Sequence, residues 1–233
     1  MLVAHQCQPL PVEMVVRAYL TGTTSTSIWV HYARGERVFC GHTLPNDLRQ
    51  HQALPEPILT PSTKAEKGDH DVSASREEIL RISKMDPKDF NRAAELAFAL
   101  FRRGQQLCAE RGLILVDTKY EFGRAPDGRI VVIDEIHTPD SSRFWKKDSY
   151  AERFAHREAP ESLDKEYLRR HLAERGFRGD GPIPRFRTRC ASKPRVAISR
   201  PSSSSPASRS SPTWKSRWRA SVATSGAIWG PHS

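Results

Sequence analysis

An α+β fold, with an antiparallel sheet packed on helices, is what this sequence predicts, and three observations lead there. Two apolar runs, LILVD (113–117) and RIVVID (129–134), flank the turn signal Pro126-Asp127-Gly128 and read as a β-hairpin. A third run, VEMVVRAYL (12–20), mixes β-branched and apolar residues and reads as a buried strand. Between them Phe90, Ala93, Ala94, Ala97, Leu100, Phe101, Leu107 and Cys108 recur at three- and four-residue steps, the period of an amphipathic helix.

In chain order, strand 12–20 ends at the turn-prone TGTTSTS. Residues 28–39, IWVHYARGERVF, look like two short strands around Arg34-Gly35-Glu36, a hairpin. From Gly41 to Val72 the chain carries Pro45, Pro55, Pro57 and Pro61 with little periodicity, so a long ordered loop is expected there. A helix starts near Ser75, whose hydroxyl and Glu78 form a capping-box pattern. The long helix over 87–111 starts at Asp86-Pro87, an N-cap followed by proline at the first helical position, and stops at Gly112. After the hairpin come a polar loop from His137 to Tyr150 and a short helix near 163–175, ended by Gly176.

The 233 residues suffice for one domain with a real core, and the formal charge of +10 would ordinarily suggest a nucleic-acid or anionic-surface partner. Position overrules that suggestion. Residues 185–233 hold ten Lys or Arg and no Asp or Glu, which leaves 27 charges of each sign in residues 1–184. The division expected is a folded region over 1–184 and a Ser/Pro/Arg-rich tail over 185–233, whose composition cannot bury enough apolar surface to offset ordering entropy. No apolar run approaches the ~18 residues of a membrane span, so a cytoplasmic protein with no membrane partner is expected. Cys7, Cys40, Cys108 and Cys190 lack CxxC spacing, which argues against a zinc ribbon or a disulfide framework.

Alternate positions on one strand put Asp117, Lys119 and Glu121 on one face, with Asp134 near the end of the next strand. Carboxylates gathered so closely repel unless a cation or Lys neutralises them, and hard oxygen ligands suit Mg²⁺ bridging nucleotide phosphates. A surface hairpin with alternating charges has the same spacing. In TPDSSRFW, Asp140, Ser141, Ser142 and Arg143 offer a phosphate cradle, while the motif in isolation reads more readily as an Asp-Ser helix cap with an ordinary surface Arg. Arg17 with the hydroxyl-rich loop around Gly22 offers a second anion contact, against a plain Ser/Thr turn. Lys64, Asp69, His70 and Asp71 follow in LPEPILTPSTKAEKGDHD, where a lone HD pair is a weak metal signal.

VVRAYLTG, CGHTLP, LPEPILTPSTKAEKGDHD, ERGLILVDTKYEFG and VIDEIHTPDSSRFW, running from Val12 towards Arg178, together resemble the phosphoribosylaminoimidazole-succinocarboxamide synthase (SAICAR synthetase) family. The resemblance implies an ATP- and Mg²⁺-dependent ligase of purine biosynthesis that joins L-aspartate to the carboxylate of carboxyaminoimidazole ribonucleotide (CAIR). It further implies that Glu121 and Asp134 are the Mg²⁺ and phosphate-side carboxylates, with Lys119 beside the reacting groups. Arg17, Thr23 and Arg143 would contact the ribonucleotide phosphate, Ser142 would belong to the same cradle, and Lys64, Asp117 and Arg169 would be further substrate contacts. Many family members have Ser where Thr23 stands, a change that preserves the hydroxyl.

Two departures from the family pattern are expected to matter. Family members begin with an N-terminal β-rich lobe that covers the ATP phosphates, and most of that lid is expected to be missing before Met1, leaving little ligase activity. After Pro184 the family's acidic amphipathic ending is replaced by Ser, Pro and Arg. A one-base frame slip near codon 184 is expected rather than a functional basic arm, and a nucleic-acid partner is then not expected. The competing functions are a noncatalytic body carrying a basic nucleic-acid-binding tail, and a kinase-like phosphotransferase sharing only the hairpin. The substrate-contact motifs favour the ligase over both.

Overall fold

The computed structural model describes residues 6–24, 26–64 and 72–163, together with 172 and 176. The elements are β1 (Gln8–Tyr19), α1 (Ile28–Ala33), β2 (Val38–Phe39), β3 (His42–Thr43), β4 (Ala53–Leu59), β5 (Ser62–Thr63), α2 (Arg76–Ser83), α3 (Pro87–Ala109), β6 (Leu113–Arg124), β7 (Ile130–Val132), β8 (Ser142–Lys146) and α4 (Lys147–Ala155). The main sheet is antiparallel in the order β4-β1-β6-β7, with β5 added on β1 and β8 on β6.

The two long strands, β1 and β6, are two-faced. On β1 the residues Leu10, Val12, Met14, Val16 and Ala18 turn to the core, where Phe90, Ala93, Ala97 and Phe101 of α3 meet them. Phe101 is 1% exposed, and burying such a side chain contributes ~1.5–3 kcal/mol. α3 begins as its sequence dictates: the Asp86 carboxylate accepts from the Lys88 amide, and Pro87 takes the position whose N–H would have no partner. At α2 both halves of the Ser75–Glu78 capping box form. A second core of Leu20, Ile28, Tyr32, Phe39, Leu44, Leu54 and Ile58 lies under α1 and the β2–β3 hairpin.

Four expectations are corrected. Residues 28–33 form a helix, because Ile28 and Tyr32, one turn apart, are buried together in the second core, and packing overrides the β-propensity of Ile-Trp-Val. The hairpin turn falls instead at Cys40-Gly41, where both residues have positive φ (50° and 83°), the signature of a type I′ connection. The stretch 41–72 is no loop throughout: β4 runs through Pro55 and Pro57, which an edge strand tolerates because its outward N–H groups need no partner. The first hairpin strand does not stop at Asp117 but continues to Arg124, and the polar loop 137–150 contains β8 and the start of α4, with Phe144 and Trp145 buried. The helix placed over 163–175, the residues Asp69, His70, Asp71 and Arg169, and the tail 185–233 lie outside the described residues, apart from Leu163 and residue 172 within the helix span.

Candidate functional site

The face of the sheet opposite α3 carries charge. Glu13, Val15 and Arg17 of β1 stand opposite Glu121, Lys119 and Asp117 of β6, and Asp117 stands opposite Arg143 of β8. A shift of register between Leu115 and Asp117 against β8 is what allows this: Leu115 pairs with Phe144 in the core, yet Asp117, two residues on, pairs with Arg143 at the site. In a regular strand residues 115 and 117 would share a face. The result is a cleft of about 280 Å³ walled by Glu13, Arg17, Lys119, Asp117 and Arg143 and closed by the Ser141–Ser142 turn.

Two ion-pair groups organise it. In the first, Asp117 Oδ2 accepts from Arg17 Nη1 at 3.3 Å and from Arg143 Nη1 at 2.5 Å, while Arg17 Nε donates to Thr60 Oγ1 at 2.8 Å. Burial pulls the Arg17 guanidinium below its ordinary pKa, with the Asp117 charge opposing and the Arg143 charge adding to that effect. In the second, Lys119 Nζ donates to Glu13 Oε1 at 2.6 Å and lies 3.5 Å from Glu121 Oε1, and Lys64 Nζ donates to Glu121 Oε2 at 2.6 Å. Burial works to lower the Lys119 pKa, but the hydrogen bond and charge of Glu13, followed by those of Glu121, outweigh it and hold the ammonium above its ordinary value. Burial would raise the Glu121 carboxyl, and Lys64 and then Lys119 reverse that and hold it below its ordinary range. Both shifts favour the charged forms of the Lys119–Glu121 pair.

Hydroxyl groups line the rest. Ser142 Oγ lies 2.7 Å from Thr118 Oγ1, Ser141 Oγ lies 3.4 Å from Ser142 Oγ, and the Lys119 amide donates to the Ser141 carbonyl at 3.0 Å. Ser27 also lines the cleft, and its buried hydroxyl has no partner among the described residues. Gly22, at φ 115°, brings the loop carrying Thr23 over Ser27 so closely that a Cβ would lie 2.5 Å from the Ser27 Cβ.

Of the residues singled out in the sequence, Arg17, Asp117, Lys119, Ser142 and Arg143 share the cleft, and Lys64 and Glu121 join it through Lys119. Thr23 lines a neighbouring, larger cavity of about 570 Å³ that has Arg143 as a common wall and Trp145, Arg49, His51 and Arg157 among its other residues. The larger cavity is not where the ion pairs converge; the smaller one is. Asp134 is exposed on the segment after β7 and stands outside the cluster. Among the described residues no three or more His, Cys, Asp or Glu side chains converge as a metal site. Sequence reasoning missed Glu13, Thr60, Ser62 and Ser27. Glu13 left one signal, an acid inside an apolar strand four residues before Arg17 and so on the same face.

The sequence profile of the SAICAR synthetase family matches residues 1–182. The chain is 51% identical over 167 residues to a chloroplastic phosphoribosylaminoimidazole-succinocarboxamide synthase of Vigna aconitifolia, covering 72% of this chain and 48% of that one. It is 48% identical to the Legionella pneumophila (strain Lens) synthase, covering 72% and 53% respectively. The chain thus spans about half the length of the curated relatives it matches. Among solved structures, SAICAR synthase from Saccharomyces cerevisiae complexed with SAICAR superposes with a TM-score of 0.66 at 32% identity, over 83% of this chain and 59% of that one. A SAICAR synthetase in complex with ADP follows at TM-score 0.53 and 26% identity, over 78% and 67%. With a profile match over residues 1–182 and relatives about half identical to it, the chain belongs to the SAICAR synthetase family.

Proposed function

We propose that the cleft holds the ribonucleotide and activates its carboxylate in the ATP-dependent joining of L-aspartate to CAIR. The observation that carries this reading is the Arg17–Asp117–Arg143 triad beside the Glu13–Lys119–Glu121–Lys64 chain: two guanidiniums fixed by one carboxylate, next to an ammonium held between two others. Guanidiniums held in place before the ligand arrives lose little freedom on gripping a phosphate. A relative's complex with SAICAR and another's with ADP support the same substrate classes.

On this reading Arg17 and Arg143 clamp the ribonucleotide phosphate, with Thr23 and the Ser142 turn supplying hydroxyls. The substrate carboxylate takes the γ-phosphoryl group of ATP, the bond to ADP breaks, and an acyl phosphate forms. The aspartate amine then attacks the acyl carbon, the C–O bond to phosphate breaks, and the amine proton passes to solvent. Lys119, held by Glu13 and Glu121, stabilises the oxygens on which negative charge builds, and it is oriented before the reaction begins. Lys64, Asp117 and Arg169 are further contacts in the proposal, and a cytoplasmic location belongs to it. Among the described residues no helix is long and apolar enough to cross a membrane.

In the proposal Glu121 and Asp134 are the carboxylates that would hold Mg²⁺, although among the described residues no three acid, imidazole or thiol groups converge there. Glu121 is paired by Lys64 and Lys119, and Asp134 is exposed one residue beyond Ile133, whose amide donates to the Glu121 carbonyl at 3.0 Å. Two carboxylates suit an ion bound mainly by phosphates and water. When bound, it would neutralise charge on the phosphoryl oxygens.

Calorimetric titration of the chain with SAICAR tests the proposal. Arg17→Ala and Arg143→Ala should each weaken binding at least about tenfold, the loss of a charge-assisted bond. Where aspartate- and CAIR-dependent ADP release is measurable, Asp134→Asn should depress it far more than it weakens SAICAR binding. SAICAR affinity unchanged in both arginine variants would overturn the assignment.

A further inference from the structure

His137 belongs to none of the groups above, yet its surroundings are built around it. It lies on the segment between β7 and β8 with φ 55°, a left-handed conformation uncommon for a residue with a side chain. Its Nε2 is 2.6 Å from the Tyr120 hydroxyl, and the two rings meet edge to face with centroids 5.6 Å apart. Tyr120 is fully buried on the α3 side of β6. The imidazole sits over Gly104, a buried glycine in the interior of the 23-residue α3. A Cβ built at Gly104 would lie 2.7 Å from His137 Nε2, closer still to Cε1, and 2.8 Å from Leu115 Cδ2. Glycine weakens a helix interior relative to alanine, so its use there calls for a close approach, and the imidazole makes one.

The segment that His137 anchors leads directly into the cradle. The Ser142 amide donates to the Thr138 carbonyl at 2.9 Å, the Lys119 amide donates to the Ser141 carbonyl at 3.0 Å, and Thr138 Oγ1 lies 3.3 Å from Ser141 Oγ. His137 grips the core side of the sheet while Ser141 and Ser142, four and five residues on, line the opposite, charged side. We propose that His137, seated in the notch at Gly104 and bonded to Tyr120, is a positioning residue that fixes the 134–142 segment against α3 and so sets the Ser141–Ser142 turn in the cleft. Its consequence for ligand binding rests on the function proposed above; its mechanical part does not.

The test uses Gly104→Ala, His137→Ala, the double variant and Tyr120→Phe in the full chain. Gly104→Ala should lower the melting temperature in the parent protein but raise it in the His137→Ala background, where the imidazole is gone, the tip of the Leu115 side chain can turn aside into the space it leaves, and alanine's helix preference prevails. Native-state exchange of the Ser142 amide should quicken at least tenfold in His137→Ala and stay fast in the double variant, relative to the Thr60 amide, which bonds to Val15 on the far side of the cleft. Tyr120→Phe should produce a smaller change in the same direction. SAICAR affinity should fall about tenfold in His137→Ala and remain low in the double variant although its stability recovers. A fall in melting temperature on Gly104→Ala that is equal in both backgrounds would mean that the glycine makes room for Leu115, and would overturn the proposal. Unchanged Ser142 exchange in His137→Ala would overturn it as well. If the parent protein binds no SAICAR, the proposed function fails, and the exchange and melting results still decide the role of His137.

Discussion

Replacing Asp117 by Asn isolates the charge that holds the two guanidiniums together. The side chains of Asp117, Arg17 and Arg143 are 10%, 13% and 16% exposed, so all three charges are largely withdrawn from water. At an effective dielectric of ~20 a unit pair at 4 Å attracts by about 4 kcal/mol, and most of that gain offsets the desolvation of the ions. Removing one partner of such a buried group typically costs ~3–5 kcal/mol, because the remaining charges stay buried and repel. Asn keeps one acceptor oxygen, so the lower end, about 3 kcal/mol, is expected. For a chain of this size that corresponds to a fall in melting temperature of roughly 6–12 °C. The same substitution removes the carboxylate that both guanidiniums share at the cleft, so phosphate should stabilise the variant more than the parent through mass action on the folded state. Differential scanning fluorimetry at low ionic strength, with and without inorganic phosphate, reads both effects. A melting temperature within about 2 °C of the parent, less than 1 kcal/mol on the same scale, would refute the idea that Asp117 is the structural counter-charge. So would a large fall that phosphate does not preferentially reverse.

Further expectations concern the rest of the face and the elements that hold it. Glu121 titrates below its ordinary value of 4.5, so its contribution to stability is complete above that pH and is lost as pH falls through the lower folded value. Lys119 titrates above its ordinary 10.5, so its contribution is complete below that pH and is lost as pH rises through the higher folded value. Glu121→Gln should therefore flatten the acid limb of a stability–pH profile measured by urea unfolding, and an unaltered acid limb would contradict the pairing with Lys64. Gly22→Ala must place a Cβ against Ser27 at a positive φ and should cost ~1–3 kcal/mol in chemical denaturation, with weakened SAICAR binding from the displaced Thr23 loop. Ser75→Ala removes the capping-box acceptor of α2 and should cost ~1 kcal/mol with SAICAR binding unchanged, which separates general stability from the site.

Local chemistry was legible from the sequence wherever neighbouring residues decide the outcome. The Ser75–Glu78 box, the Asp86-Pro87 start of α3, the turn before β7 and the alternation of Asp117, Lys119 and Glu121 all depend on contacts within a few residues, and each appears in the structure. The family, too, was legible, through the resemblance of motifs such as TPSTKA and TPDSSRFW to those of the SAICAR synthetases. Only the tertiary structure decided which strand stands beside which. The β1–β6 pairing brings Glu13 to Lys119 and Arg17 to Asp117 across about a hundred residues of chain, and local propensity contains no term for that pairing. The irregular register at Leu115–Asp117 sends one residue to the core and the next-but-one to the cleft, against simple alternation. Pro55 and Pro57 read as a loop until β4 is seen to be an edge strand, and Ile-Trp-Val reads as a strand until a second core closes over Ile28 and Tyr32. In each case the energy that decides comes from burial against residues distant in sequence, which exceeds the few tenths of a kcal/mol by which local preferences differ.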